Sequence, residues 1–313
     1  MATSFDPGRV SLRLQLDGDV VAAAATVSIR PSAARALRGL AAEKAVAMLP
    51  LLYSLCGKAQ GTAARLALAA ARGEATPRRS DEQVAGEVAG EHLWRLLVDW
   101  PKALGLPADE ALFIEGRRRL AETDFAAWVR QRLAADDGIF TRLRRALAAA
   151  AEPAPAPDRL LPDLDAAASL ALWPRLDEAF AAAPTYGGLA AETGAFARRP
   201  NGEAPVAARV RARMEELAAG VPGRVSAVPV AAGVGRALVD TARGPLMHEL
   251  TLDGDHIADY VIVAPTEWNF HPAGPLAAWL GGMPAGAAEE LAPRAVLALD
   301  PCVPWSLEMN RRP

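Results

Sequence analysis

Polar and apolar residues alternate strictly near both ends of the chain. Between residues 10 and 16 every second residue is apolar, a pattern typical of a strand with one buried face. The Asp-Gly pair that follows favours a tight turn, so residues 20–29 are predicted to return as a hairpin. A second alternation over 246–252 ends at another Asp-Gly pair and predicts a second hairpin, which returns over 257–263.

Between the hairpins, apolar residues recur with helical spacing. Helices are predicted over residues 31–50, 54–72 and 81–104, the third of them capped by Ser80 and Asp81. Shorter helices follow toward the second hairpin and beyond it. The alternating prolines of residues 153–157 cannot continue a helix and predict a linker. We therefore expect an α+β fold, a single domain of residues 1–313 with a helical insert or bundle at about 80–183. Strands from the two ends are expected to pair in one sheet.

Charge and composition narrow the class of function. The net charge is −3, and no block of Lys and Arg stands beside stacking aromatic residues, so no nucleic-acid partner is expected. No apolar stretch reaches the ~20 residues that a membrane helix needs, so no membrane association is expected. The first residues lack the basic and apolar regions of a signal peptide. These patterns predict a cytoplasmic protein.

The two cysteines have a similar local setting. Cys56 follows Ser54 by two positions, and Cys302 follows Asp300 by two positions. If Ser54 and Asp300 are N-caps, each thiol lies in the first turn of a helix, where the helix dipole lowers its pKa. A thiolate binds soft metals or attacks disulfides. Two unrelated cysteines of the core are the alternative.

Six ordered segments of the chain resemble the large subunit of nickel–iron hydrogenases. They resemble, in order, the family's Asp-Pro-x-x-Arg-Ile, Ile-Cys-Gly-x-Cys, Glu-Thr-Gly-x-x-Ala-Arg, Pro-Arg-Gly-x-Leu-x-His, the segment after it, and the terminal Asp-Pro-Cys-x-x-Cys-x-x-His. In this chain they are residues 6–10, 55–59, 192–198, 242–248, 266–276 and 300–302. The resemblance leaves roughly residues 72–183 unmatched. It implies a fold like that of the large subunit.

The departures from this family concern the metal site. The resemblance implies two Cys-x-x-Cys pairs, in which the first cysteine is terminal on nickel and the second bridges nickel to iron. Cys56 and Cys302 match the first positions, whereas Ala59 and Trp305 stand at the bridging positions. Alanine has no ligating atom, and the indole is expected to fill the space of the iron and its ligands. Neither hydrogen cleavage nor bound nickel is therefore expected.

Two smaller departures and three retained residues complete the resemblance. Ser11 stands where the family's opening motif has Glu, and Glu308 where its last motif has His. Arg243 matches an arginine that lies over the diatomic ligands of iron, where a guanidinium can donate to cyanide. His248 and His271 are candidate partners of iron or of hydrogen bonds. A purely structural role is the alternative for each of the three retained residues.

This combination resembles the hydrogenase maturation proteins of the HupK/HoxV type. The resemblance implies a non-enzymatic scaffold or carrier for an Fe(CN)2(CO) unit, bound transiently at Cys56 and Cys302 and delivered to the apo large subunit. A HypC-type chaperone and other iron-maturation proteins are the implied partners. A metal-free assembly chaperone that mimics the large subunit is the alternative. A true redox enzyme is disfavoured by the missing bridging thiolates.

Overall fold

The computed structural model describes residues 8–29, 33–53, 55–150, 159–200 and 206–311. Within these ranges the strands form two separate sheets. The strands are β1 (Arg9–Asp17), β2 (Val20–Ile29), β3 (Thr76–Ser80), β4 (Arg224–Ala231), β5 (Val234–Thr241), β6 (Gly244–Asp253), β7 (His256–Val263) and β8 (Trp305–Arg311). Their order is β2-β1-β8 in one sheet and β3-β4-β5-β6-β7 in the other.

Helices fill most of the chain between the strands. They are α1 (Ala42–Leu52), α2 (Gly57–Ala71), α3 (Glu82–Trp94), α4 (Trp100–Ala103), α5 (Glu110–Arg119), α6 (Phe125–Ala134), α7 (Ile139–Ala150), α8 (Ala166–Leu172), α9 (Glu178–Ala182), α10 (Ala195–Arg198), α11 (Val206–Ala219), α12 (Pro265–Asn269), α13 (Pro275–Leu280) and α14 (Ala285–Leu299). A 3₁₀ turn over Ala33–Leu37 precedes α1, and a π-helical turn over Arg95–Asp99 joins α3 to α4. Within the described ranges, the helices are too short or too polar to cross a membrane.

The hairpin near the start of the chain forms as predicted and also pairs with β8. β1 is antiparallel to β2 and parallel to β8, with Val10 opposite Trp305 and Leu16 opposite Arg311. The alternating apolar residues of β1 are buried in a cluster that also contains residues of α3, α7, α11 and α14. The two ends of the chain therefore pair in this sheet, through a strand, β8, that was not predicted.

The second hairpin, β6 and β7, belongs to the other sheet. The expectation that both hairpins share one sheet is wrong, because β4 and β5 were not predicted and they complete a separate sheet with β6. β5 is buried at every position, so its sequence lacks the alternation that marks a half-exposed strand. One apolar cluster packs α2 against this sheet, and another covers the opposite face beneath α8 and α12.

The helix predictions were partly correct. Asp81 caps α3 as predicted, since its carboxylate accepts from the backbone of Gln83 at 3.0 Å and of Val84 at 3.1 Å. The helix predicted over 31–50 is shorter, because only Ala42–Leu52 is α-helical. Ser54 and the predicted linker at 153–157 lie outside the described residues.

Candidate functional site

Two of the motif segments pack backbone against backbone. Gly194 has φ +106°, and a Cβ there would lie 2.9 Å from the carbonyl oxygen of Arg243. Gly244 has φ +130°, and a Cβ there would lie 2.2 Å from Thr193 Oγ1. Only glycine combines these torsion angles with so close an approach. The Glu-Thr-Gly segment and the Arg-Gly turn are thus fitted to one another.

Asn269 joins three segments that are distant in sequence. Its side-chain oxygen accepts from the backbone of Thr193 at 2.9 Å. Its amide group donates to the carbonyl oxygens of Arg243 and Leu299, both at 3.3 Å. Asn269 is 2% exposed, so these bonds satisfy a buried amide that would otherwise be costly. The motif segments therefore meet around one side chain.

Cys56 is itself the N-cap residue of α2, so its predicted place in the first turn is wrong. The first backbone N–H groups of the helix are bound by Glu87 on α3, which accepts from Lys58 at 2.8 Å and Ala59 at 3.0 Å. A cap that comes from another helix leaves no local signal in the sequence. This contact fixes the start of α2, and with it the position of Cys56, against α3.

The predicted lowering of the Cys56 pKa is also wrong. Burial raises the pKa of this thiol well above its ordinary value, and the charges of Cys302, Glu91 and Glu87 raise it further. The charge of Arg243 lowers the pKa of Cys56, but by less than burial and the three other groups raise it. Cys56 is therefore a neutral thiol at pH 7 unless a cation replaces its proton. The effect of Cys302 on this pKa also means that the two thiols lie within the range of electrostatic interaction.

Cys302 lies in the loop between α14 and β8, and not in a helix as predicted. The preceding helix continues to Leu299, and Asp300 ends it as a left-handed C-cap with φ +57°. The Asp-Pro pair that resembles an N-cap signal therefore follows a helix instead of starting one. Cys302 Sγ lies 3.1 Å from Thr266 Oγ1, which also accepts from the Cys302 backbone at 3.3 Å. The threonine hydroxyl can therefore donate its hydrogen to the sulfur.

Asp300 is the centre of a buried charge network. Arg95 donates to its Oδ1 from Nε at 2.8 Å, Arg213 Nη2 lies 3.1 Å from Oδ2, and Arg243 Nε lies 3.4 Å from Oδ1. Burial by itself would raise the pKa of Asp300, but Arg243, Arg95 and Arg213 together hold it well below the ordinary value. The carboxylate therefore stays ionised and anchors three guanidinium groups beside Cys302.

Arg243 lies in the turn between β5 and β6 and is 3% exposed. Burial would lower its pKa, but Asp300, Glu91 and the two cysteines outweigh that effect, so the pKa is raised and the charge is permanent. Nη1 pairs with Glu91, whereas Nε has no hydrogen bond to any described residue, because its approach to Asp300 lacks hydrogen-bond geometry. Burial raises the pKa of Glu91 to about 7 despite this pairing. A buried cation with an unused N–H thus lies beside both thiols.

His248 is separated from the thiols by Gln60, a residue that the sequence did not single out. Its Nε2 lies 2.9 Å from Gln60 Oε1 and its Nδ1 lies 2.9 Å from the Tyr260 hydroxyl. Gln60 in turn donates to Cys56 Sγ at 3.8 Å. Burial lowers the pKa of His248 to about 3, so the ring is neutral. The four-residue spacing of Cys56 and Gln60 on one helix was the only sequence signal for this contact.

His271 lies in the loop after α12. Its Nδ1 accepts from the backbone of Ala273 at 3.0 Å. Burial lowers the pKa of His271, and a hydrogen bond with the backbone of Ala183 opposes this effect. Within the described ranges, no hydrogen bond joins His271 to either thiol, so its contacts anchor the loop.

A cavity of about 1000 Å³ leads from the surface to this site, between α3 and α5. Arg243 and Glu91 line its inner end. Leu55 and Trp94, at 46% and 44% exposure, lie at its outer part. The cavity therefore connects solvent with the guanidinium that lies beside the thiols.

The site contains few ligands for a metal ion. Across the part of the chain that the structure describes, no group of three or more His, Cys, Asp or Glu residues could hold a metal. Cys56 and Cys302 are not joined in a disulfide. A bare ion would therefore be poorly coordinated, whereas a metal that brings ligands of its own needs only two thiolates.

Comparison with models of protein families gives no match. Individual proteins do match: the chain is 33% identical to the hydrogenase expression/formation protein HupK of Azotobacter vinelandii, over 96% of this chain and 98% of that protein. The chain belongs to the HupK/HoxV family of hydrogenase expression/formation proteins. Another relative, HoxV of Cupriavidus necator, is 31% identical over 89% of this chain and 91% of its own length.

Solved structures confirm the predicted fold of this family member. The nickel–iron–selenium hydrogenase of Desulfomicrobium baculatum matches over 92% of this chain and 94% of its own, with a TM-score of 0.57 and 14% identity. The corresponding enzyme of Desulfovibrio vulgaris Hildenborough matches with the same coverage, a TM-score of 0.57 and 16% identity. The α+β fold is therefore that of the hydrogenase large subunit.

In this HupK/HoxV chain, three positions that depart from the hydrogenase motifs, Ser11, Trp305 and Glu308, lie on the β1–β8 ladder, whereas Ala59 lies in α2. Ser11 and Ser306 are opposite one another, with 3.2 Å between their hydroxyl oxygens. Arg13 pairs with Glu308 at 3.0 Å. Trp305 begins β8 opposite Val10 and is 38% exposed, and the space that its indole fills stays a prediction.

Proposed function

We propose that this chain is a scaffold or carrier for the Fe(CN)2(CO) unit during the maturation of nickel–iron hydrogenase. The iron unit is cargo, bound by Cys56 and Cys302 and later passed to the apo large subunit. The observation that carries the proposal is the pair of thiols beside the buried guanidinium of Arg243. The names of the relatives, hydrogenase expression/formation proteins, support the same process.

The charges of the site suit this cargo. Cyanide bound to iron remains an anionic acceptor, and Arg243 Nε offers a buried N–H without a hydrogen bond in the described part of the chain. The positive metal ion favours loss of the proton from Cys56, whose pKa burial has raised. Binding of the cargo would thus give the buried N–H of Arg243 an acceptor and give both sulfur atoms a metal ion to bind.

The small number of protein ligands suits a carrier. Low-spin iron(II) in this unit already holds two cyanides and one carbon monoxide. Two thiolates leave one octahedral position open and form no bridge to a second metal, which favours release. No enzymatic activity is proposed. His248 supports Cys56 through Gln60, whereas His271 is retained only as a candidate hydrogen-bond partner.

A HypC-type chaperone and other iron-maturation proteins are the proposed partners, together with the apo large subunit. The cavity between α3 and α5 gives such partners a route toward Arg243. Leu55 and Trp94 expose apolar surface at its outer part, a composition common in protein interfaces. The fold of the large subunit would let these partners bind the carrier and the enzyme through similar surfaces.

Infrared spectroscopy tests the carrier function. Protein purified without oxygen from cells that make the iron-maturation proteins should show cyanide and carbon monoxide bands. The double variant Cys56→Ala, Cys302→Ala should lose these bands, whereas Trp305→Ala on the exposed start of β8 should keep them. Iron-free wild-type protein without bands would contradict the proposal.

A metal-free assembly chaperone is the second candidate. It is favoured by the neutral state of Cys56 and by the absence of a larger ligand cluster among the described residues. In this case, the chain would bind the maturation proteins or the apo large subunit through its shape alone. Capture of a purified partner should then survive the double cysteine substitution, and wild-type protein should lack the infrared bands.

A further inference from the structure

Three buried polar side chains are linked by a series of hydrogen bonds that ends at the sulfur of Cys56. Gln60, His248 and Tyr260 are each at most 1% exposed. The links are 3.8 Å from Gln60 Nε2 to Cys56 Sγ, 2.9 Å from Gln60 Oε1 to His248 Nε2, and 2.9 Å from His248 Nδ1 to the Tyr260 oxygen. Buried polar groups that form such a chain satisfy one another and fix each other's orientation.

The contacts determine which group donates and which accepts in each of these hydrogen bonds. Since the amide nitrogen of Gln60 faces the sulfur, its oxygen faces His248 and can only accept. His248 Nε2 must then carry the hydrogen, and Nδ1 must accept from the Tyr260 hydroxyl. The lowered pKa of His248, about 3, agrees with a ring that carries a single N–H. Burial also raises the pKa of Tyr260, so the phenol retains its hydrogen.

We propose that Gln60 is a positioning residue, whose amide N–H holds the Cys56 sulfur as a hydrogen-bond acceptor. His248 and Tyr260 keep the amide from turning over. The proposal rests on the proposed function, since it concerns how Cys56 is presented to a metal. An N–H···S bond withdraws electron density from a thiolate and weakens its donation to the metal, so Gln60 also tunes the binding strength.

The same contacts could be formed with every donor and acceptor exchanged. If the amide were turned over, its oxygen would face a Cys56 S–H group and its nitrogen would donate to His248 Nε2. His248 would then carry its hydrogen on Nδ1 and donate to the Tyr260 oxygen. The tautomer of His248 therefore reports the orientation of Gln60 without any metal present.

Nitrogen NMR of ¹⁵N-histidine-labelled protein tests the direction first. The chain has only 4 histidines, and the His248 signals are identified by their loss in His248→Gln. The proposal expects Nε2 protonated and Nδ1 bare in the wild type, and a mixture of tautomers in Tyr260→Phe, which lacks the fixing hydroxyl. A wild-type ring protonated on Nδ1 would overturn the proposal.

Cobalt(II) added to the reduced protein without oxygen then probes the sulfur. In Gln60→Met, which keeps the length of the side chain but lacks the N–H, the thiolate-to-cobalt absorption should move to longer wavelength. Loss of an outer contact that positions a ligand lowers metal affinity by about 10-fold or more. Cobalt should therefore bind more weakly by this factor, because the lost positioning of the sulfur outweighs its stronger donation. Tyr260→Phe should shift the band in the same direction but by a smaller amount than Gln60→Met, because His248 and Gln60 lie between its hydroxyl and the sulfur. Gln131→Met on the exposed face of α6 is the matched control.

The outcomes separate this proposal from the function on which it rests. Bands of Gln60→Met and Tyr260→Phe at the wild-type wavelength would overturn the positioning role, even if both proteins bind cobalt. A bare ion has few protein ligands here, so failure of the wild type to bind cobalt would not contradict the carrier function, which the infrared bands test. In that case the NMR tautomer still decides the direction of the hydrogen bonds.

Discussion

The motif region around Asp300 and the helical middle of the chain are stabilised in different ways. Around Asp300, buried ion pairs, an asparagine with three backbone contacts and two tightly approached glycines join segments that are far apart in sequence. In the middle, α3, α6 and α7 pack through apolar residues of one large cluster. Apolar packing tolerates many sequences, whereas fixed polar contacts tolerate few. This difference explains why only the motif region resembles the hydrogenase sequences.

Removal of the central charge should have the largest effect. Asp300→Asn leaves Arg95, Arg213 and Arg243 without their shared counter-ion, which should lower the free energy of unfolding by about 3–5 kcal/mol. Urea unfolding measures this loss. The folded pKa of Asp300 lies below its unfolded value of about 4, so its contribution is present above that pH and is lost as the pH falls further. The acid sensitivity below about pH 4 should therefore be smaller in the variant.

An exposed ion pair is the control for this prediction. Asp259 lies 2.7 Å from Arg38, but both side chains are more than 40% exposed. Asp259→Asn should cost less than about 1 kcal/mol, because water screens such pairs. Equal losses for the two variants would remove the distinction between the buried network and ordinary surface charges.

A methyl group at the tight backbone contact should have the next largest effect. Gly244→Ala adds a Cβ that overlaps Thr193 Oγ1 and forces an L residue to φ +130°, at a cost of about 3 kcal/mol. Gly254→Ala also has a positive φ, +54°, but a Cβ there meets no atom within 4 Å. This control should cost about 1 kcal/mol. Thermal unfolding of the two variants compares them, and similar melting temperatures would contradict the close fit.

The pH dependence of His248 should give a moderate effect. Its folded pKa of about 3 lies below the unfolded value of about 6.5, so the unfolded chain binds a proton that the folded chain cannot accept. Between these two values, stability falls as the pH falls, by at most about 1.4 kcal/mol per pH unit. His248→Gln should show a shallower slope in urea unfolding from pH 6 to pH 4. Parallel slopes would indicate that His248 is solvated in the folded protein.

The smallest effect is expected at the mouth of the cavity. Leu55 is 46% exposed, and Leu55→Ser should change the free energy of unfolding by no more than about 0.5 kcal/mol. Leu12→Ala, at a position that is 0% exposed on β1, should cost about 2–5 kcal/mol. A large loss in Leu55→Ser would mean that this surface is part of the core and is not available to a partner.

The sequence predicted the parts of the fold whose signals are local. The hairpins followed from alternation and Asp-Gly turns, and Asp81 was recognised as a cap. β5 was missed because a strand buried on both faces does not alternate. The start of α2 was misplaced because its first N–H groups are bound by Glu87, a residue of another helix.

In the candidate site too, the residues that match a motif were predicted, whereas contacts between distant segments were not. Resemblance to the hydrogenase motifs predicted Cys56, Cys302 and Arg243, and the structure brings these three together. It did not predict the direction of the Cys56 pKa shift, because burial outweighs any effect of the helix start. Arg95 and Arg213 lie in segments without a recognised motif, so their pairing with Asp300 requires the folded structure.

X-ray absorption at the iron edge tests the central claim most directly. The sample is anaerobic protein from cells that make the iron-maturation proteins, compared with Cys56→Ala and Cys302→Ala. The account predicts two sulfur neighbours of iron in the wild type, one in each single variant, and light-atom neighbours from the diatomic ligands. Iron without sulfur neighbours in the wild type, or an unchanged iron spectrum in both variants, would contradict the claim that these two thiols hold the cargo.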